Sequence, residues 1–349
     1  MGHVIDGELD SWCDVEGLED WRDLLVGNGL SSHIWPGFAY QSLYERACKA
    51  KILNRSDRRL FDVGATVNFE SVLAALTVTI RTLEALEEAD AGRLRSRYLR
   101  VQKALGAAVR DVHMALSDLP DGTRETVREV LRDYRWVFTT SYDLVLYWCS
   151  GYGDSFDGFA DFFFCNGRLE FNPDNTVIKG DRTRLVYLHG ALHLLVDEKG
   201  VTRKRRSSDA TLLKQFGTPD KENLSSRPLL VAEGKAQEKA QIIKDNEYLS
   251  FGLERLSRSR RGLVVFGLSL RDEDAHLVNA LNARPKSPVA VGLRPRTRNE
   301  NRSRQAHIRK LLDVEELYFF DATTHPLGDP ALAGRVSSRL ARSLVTRSA

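Results

Sequence analysis

At Tyr187-Leu188-His189-Gly190 an apolar run ends in a histidine and a glycine, a pairing that presents an imidazole at a sheet edge and leaves room for a substrate. An imidazole near its ordinary pKa exchanges a proton at neutral pH, so His189 is a candidate general base or ribose-hydroxyl contact. His193 follows at a metal-pair spacing, but Gly190 and the β-like run Leu192 to Val196 break any shared helix face, so no metal is expected. A second constellation is Thr139-Thr140-Ser141-Tyr142-Asp143, placed where a strand ends and ligands of open α/β sheets collect. Thr140, Ser141 and Tyr142 can bond a ribose or an amide, and Asp143 can set negative charge near a developing cation. Thr140 and Ser141 also suit the cap of the next helix, with Asp143 favouring its dipole, and both readings stand at this level.

Two glycine loops complete the set. Gly27-Asn28-Gly29, followed by Ser31, comes directly after the apolar segment Trp21 to Val26. Such a loop lets the backbone approach a pyrophosphate, whose charge the N–H groups of the next helix then hold. Gly267, Ser269 and Asp274 lie in a similar stretch after Val264-Val265-Phe266, forming a second nucleotide-contact loop that opens a helix near Asp272.

The elements that must carry these loops alternate. Strands are predicted at Trp21 to Val26, Trp136 to Thr140, Leu185 to Leu188, Pro228 to Val231, Gly262 to Phe266, Pro288 to Leu293 and Leu317 to Phe320. Helices are predicted from Ala236 to Ser257, from Asp272, over Asn301 to Leu312, and after the last strand. Between the first two strands, Phe69, Val72, Leu73, Leu76, Ile80 and Leu83 recur at helical steps. With helices near Leu94 to Leu116 and Arg124 to Tyr134, and a turn at Pro120-Asp121-Gly122, they predict a helical insertion over about residues 65–134. The fold class expected is a Rossmann-like α/β domain of about six parallel strands, helices on both faces, spanning the whole chain.

The 349 residues, 42% of them hydrophobic, allow a well-buried core, and the formal charge of +3 from 51 basic and 48 acidic side chains favours neither nucleic acid nor a membrane surface. Basic clusters at Arg203 to Arg206, Arg258 to Arg261 and Arg294 to Arg309 have interleaved acids, which predicts solvated faces. Cys13, Cys48, Cys149 and Cys165 have no paired spacing, as expected of reduced thiols in a cytoplasmic protein. Met1 to Asp10 has no signal-peptide pattern, and no apolar run reaches spanning length.

Taken in order from Gly27 to Asp274, the four motifs resemble the sirtuin-like NAD-binding family, in its prokaryotic NAD-hydrolase branch of antiphage-defence effectors. Pro228 to Gly234 with Glu238-Lys239 and Tyr248-Leu249-Ser250 also resembles a segment of uncharacterised sirtuin-like proteins. The resemblance implies NAD as substrate, cleavage of its nicotinamide–ribose bond, and a gated oligomer or a complex with a sensor protein. Under it His189, Ser141 and Asp143 act on the ribose. Gly27, Asn28, Gly29 and Ser31 take the phosphates, and Gly267, Ser269 and Asp274 line the adenosine side. The chain departs from the pattern twice: Ser141 stands where the family has asparagine, and Asn28 where it often has alanine. The first departure also motivates an alternative, a nucleotide-binding sensor with little turnover; a protein deacylase is disfavoured because no four-cysteine zinc module is present.

Overall fold

A computed structural model describes residues 5–38, 43–88, 90–151, 158–163, 169–175, 183–197, 199–205, 212–213, 226–231 and 236–333. Cys165, Arg206 and the expected last helix lie outside these residues. In chain order the strands are β1 (Trp21–Val26), β2 (Trp136–Thr139), β3 (Phe159–Ala160), β4 (Thr183–Tyr187), β5 (Gly190–Val196), β6 (Thr202–Lys204), β7 (Arg227–Leu230), β8 (Gly262–Phe266), β9 (Val289–Leu293) and β10 (Leu317–Asp321). The helices are α1 (Trp12–Glu16), α2 (Asn28–Ile34), α3 (Leu43–Lys49), α4 (Arg55–Val63), α5 (Phe69–Ala85), α6 (Ala91–Val112), α7 (Asp121–Arg132), α8 (Val145–Ser150), α9 (Ala236–Lys244), α10 (Glu247–Arg258), α11 (Ala275–Asn282) and α12 (Arg298–Leu311).

Seven strands form one parallel sheet in the order β10-β9-β8-β1-β2-β4-β3. Without the two-residue edge strand β3, the chain order across the sheet is third, second, first, fourth, fifth, sixth, which is the Rossmann arrangement. Every residue of β8 and β9 is buried. Because successive side chains point to opposite faces, helices must cover both sides of the sheet. The strand order reverses between β1 and β8, and chain crossovers diverging there open a crevice at the C-terminal strand ends. Toward the other, N-terminal ends of these strands Asp23 of β1 and Arg284 beyond α11, their side chains buried, pair at 3.4 Å, and the guanidinium also donates to the carbonyls of Leu256 and Arg261.

Three elements differ from expectation. The strand predicted at Pro228 to Val231 is β7, which lies outside the parallel sheet. It pairs antiparallel with β5, and β5 with β6, in a separate three-stranded sheet. Gly190 causes the departure: its φ of +70° turns the chain out of β4, and a Cβ there would sit 2.0 Å from the Leu229 carbonyl oxygen. Its missing side chain thus makes room for the β7 backbone, not for a substrate. The single helix expected over Ala236 to Ser257 is two, because Asn246 leaves helical geometry and accepts a hydrogen bond from Leu249 N at 3.0 Å, capping α10. Between β1 and β2 the helices that follow α2 begin with α3 at Leu43, earlier than residue 65, and Pro120 is the N-cap of α7, so Asp121 and Gly122 are already helical.

Candidate functional site

A cavity of about 510 Å³ opens where β1, β2, β8 and β9 end and where β4 hands on to His189. It is of small-ligand size. Asn28, Gly29, Thr140, Ser141, Tyr142, Asp143, His189, Gly267, Ser269 and Asp274 all line it. Gly27 and Ser31 do not; they stand behind the wall.

The two glycine loops are laced together at the switch point. Gly27 N donates to the Phe266 carbonyl and Gly29 N to that of Gly267, each at 2.8 Å. A Cβ on Gly29 would come within 2.5 Å of Gly267 Cα, and Gly267 itself has φ +66°. The Gly27 and Gly29 N–H groups of the loop expected to hold a pyrophosphate are therefore committed to protein carbonyls. What the glycines contribute is a low floor, since any side chain would part the loops. The seven-residue α2 adds little dipole of its own.

Over this floor the two departures from the family pattern meet. Ser141 donates a short hydrogen bond to Asp143 Oδ2, so its oxygen accepts from Ser31 Oγ at 3.1 Å. Asp143 Oδ1 accepts from the N–H of Val145, the first residue of α8, at 2.8 Å. Both carboxylate oxygens and the serine hydroxyl are thus engaged inside the loop, and the N-cap of α8 is Leu144, so neither Thr140 nor Ser141 caps that helix. Asn28 is placed differently. Its amide nitrogen donates to the Phe38 carbonyl at 3.1 Å, which fixes the flip and turns Oδ1 toward Ser141 Oγ, 3.5 Å away. Behind them His113 accepts from Leu144 N at Nε2 and donates to the Met114 carbonyl from Nδ1. Its burial pulls its pKa down.

His189 has a partner that sequence reasoning missed. Its Nε2 lies 2.7 Å from Nε2 of His276, on α11, and both rings are buried. Burial, then the neighbouring His276 and Lys239, hold the His189 pKa well below its ordinary value. Burial likewise takes His276 to about 4, so both rings are neutral and share one proton. His276 Nδ1 is buried without a partner. A bare acceptor is cheaper there than a bare N–H, so His276 donates its Nε2 proton, and His189 carries its own at Nδ1. His193 points elsewhere, stacked on Tyr147 at 4.3 Å inside the core.

Five buried histidines have lowered pKa values: His113, His189, His193, His276 and His325, the last at about 3. Unfolded, each binds a proton near pH 6.5, so between pH 7 and 5 the unfolded chain holds more protons and stability falls as pH falls. Asp23 and Asp133, pushed up by burial, work the other way but are fewer. The urea midpoint is therefore expected to be lower at pH 5 than at pH 7. A flat or reversed profile contradicts neutral buried imidazoles.

Lys239, also missed, pairs with Asp274 at 3.3 Å on the cavity wall. The basic clusters divide. Arg203 meets Glu170 and Asp197, Arg258 meets Glu254 and Arg261 meets Asp20, as expected of solvated faces. Arg294 and Arg304, in contrast, line the cavity. Nothing in a run of surface-like arginines marks those two from sequence.

The family described as "Domain of unknown function (DUF4917)" matches residues 24–327. The chain belongs to that family. Every residue lining the cavity except Gly328 falls within the DUF4917 match. No curated protein matches the sequence. A solved structure described as "Structural Basis for the Mechanism and Regulation of Sir2 Enzymes" is similar at 12% identity and a TM-score of 0.37, covering 96% of this chain and 97% of that one. Among the described residues no helix is long and apolar enough to cross a membrane.

Proposed function

We propose that this chain binds NAD across the switch point and hydrolyses its nicotinamide–ribose bond. The observation that carries the proposal is the convergence, in one cavity of about 510 Å³, of His189, Asn28 and the Ser141–Asp143 pair over a glycine floor. Nicotinamide leaves as a neutral molecule, so the reaction needs little acid at the leaving group. It needs support for an oxocarbenium-like ribosyl centre and a placed water. In this reading the pyrophosphate lies over Gly29 and Gly267. His189 donates from Nδ1 to a ribose hydroxyl, and Asn28 Oδ1 holds the attacking water, supplying from the first loop the amide that the family pattern has at position 141. Asp143 supports the developing charge through Ser141. Water adds to the anomeric carbon as the C–N bond breaks, and its proton passes to solvent.

The order of motifs further suggests a defence effector that depletes NAD when activated, held in a regulated oligomer or in complex with a sensor, because an unrestrained NADase would poison its host. The alternative of a nucleotide sensor draws on the engagement of Ser141 and Asp143 within their own loop. One assay separates these readings: purified chain is mixed with NAD, with and without an acetylated peptide, and free nicotinamide is followed. Release without peptide is expected. Binding without release favours the sensor, and peptide-dependent release a deacylase.

A further inference from the structure

We propose that the β9 end of the cavity is an anion subsite for the 2′-phosphate of an adenine dinucleotide, which makes NADP the preferred ligand over NAD. The inference rests on the nucleotide reading above and adds the substrate class. Arg294 is the first residue after β9, and Arg304 lies on α12, its Nη1 donating to the Arg294 carbonyl at 2.8 Å. That bond holds the Arg304 guanidinium against the backbone of Arg294, and both residues line the cavity.

Most other arginines with described contacts sit on carboxylates: Arg203, Arg258, Arg261, Arg284, Arg296 and Arg298 all do. Arg294 and Arg304 have no ion pair among the described residues. Arg304 is half-buried, and burial and the charge of Arg296 push its pKa down against the smaller opposing pull of Glu300. Glu273 also lines the cavity but does not pair with either, and Lys239 is already matched by Asp274.

The position fits the third phosphate and not the pyrophosphate. From β4, which precedes His189, to β9 is four strand steps, about 19 Å at the usual spacing. With the nicotinamide ribose at His189 and the pyrophosphate over the β1–β8 switch point, the adenosine ribose is carried toward β9. A Rossmann site that prefers NAD sets a carboxylate on that ribose, whereas arginine accommodates a 2′-phosphate. Two guanidinium groups are the donors best shaped for such an oxyanion.

The test uses NADPH and NADH, whose uncharged dihydronicotinamide is a poor leaving group, so binding is read apart from cleavage. Fluorescence titration of the full chain is expected to give NADPH about tenfold tighter binding. In the Arg294→Ala/Arg304→Ala variant the NADPH:NADH affinity ratio should fall to near one, while Arg302→Ala, on an exposed part of α12, should keep it. Equal affinities in the wild type, or a ratio that survives the double substitution, overturns the subsite. Selective NADPH binding without nicotinamide release from NADP upholds the subsite and rejects the cleavage reading. Release from NAD and NADP with no binding preference rejects the subsite alone, and failure of either nucleotide to bind rejects both.

Discussion

His189→Ala is expected to lower nicotinamide release by about 10²–10⁴-fold with the fold intact, the range for loss of a positioned proton donor or acceptor. The ring's Nε2 is taken by His276 at 2.7 Å, which leaves Nδ1 for a ligand. Its pKa, held well down by burial, makes a weak base, so the hydrogen-bond donor is the role the surroundings favour. His189→Asn separates the two possibilities, because an amide nitrogen can replace the Nδ1 donor but cannot act as a base. Retention of turnover within about tenfold of wild type supports the donor, and a fall as deep as alanine's supports the base. His193→Ala is the companion variant. That ring is packed between Tyr147 and Tyr187, so its loss should lower the melting temperature but not the turnover per folded molecule. Near wild-type turnover in folded His189→Ala would remove this residue from the site and make the sensor the better reading.

Asn28→Ala is expected to cost about 10²-fold in turnover, the scale for removing one preorganised polar group from a reacting centre. The decisive result is rescue. If Asn28 Oδ1 does from the first loop what the family asparagine does from the second, then Asn28→Ala/Ser141→Asn should recover most of the loss. The two side chains meet at 3.5 Å, so an amide on either can reach the same space. Turnover is measured beside circular dichroism, since Asn28→Ala also removes the bond to the Phe38 carbonyl, leaving Ser32 Oγ to serve that oxygen. A double variant no better than Asn28→Ala alone would show that the two positions are not interchangeable.

Much of the frame was legible in the chain. Gly262 to Phe266 and Pro288 to Leu293 are continuous apolar runs, and only a strand buried on both faces tolerates that pattern, which is why the parallel sheet could be read; Trp21 to Val26 is apolar apart from Arg22 and Asp23. The cavity's place was legible for a topological reason: in such a sheet ligands gather at the strand ends where the order reverses, and both glycine loops follow strands. Less was legible wherever a short run has two uses. Pro228 to Val231 satisfies a strand pattern equally in either sheet, and Ala236 to Ser257 keeps its helical spacing through the break at Asn246.

The sequence by itself determined most of the strands, the two glycine loops and the main helical stretches, because those preferences act over a few neighbours along the chain. Only the tertiary structure decided what those residues do for one another. Ser31 reaches Ser141 across 110 positions, Asn28 reaches it across 113, and His189 meets His276 across 87. It also turned the N–H groups of Gly27 and Gly29 toward β8 and its loop, and two arginines of a surface-like run toward the cavity. Local propensity carries no information about such pairings, since a hydroxyl, an imidazole or a guanidinium looks the same in sequence whatever it faces. Its partner is set by which strand ends the sheet brings side by side, as it does for β1 and β8.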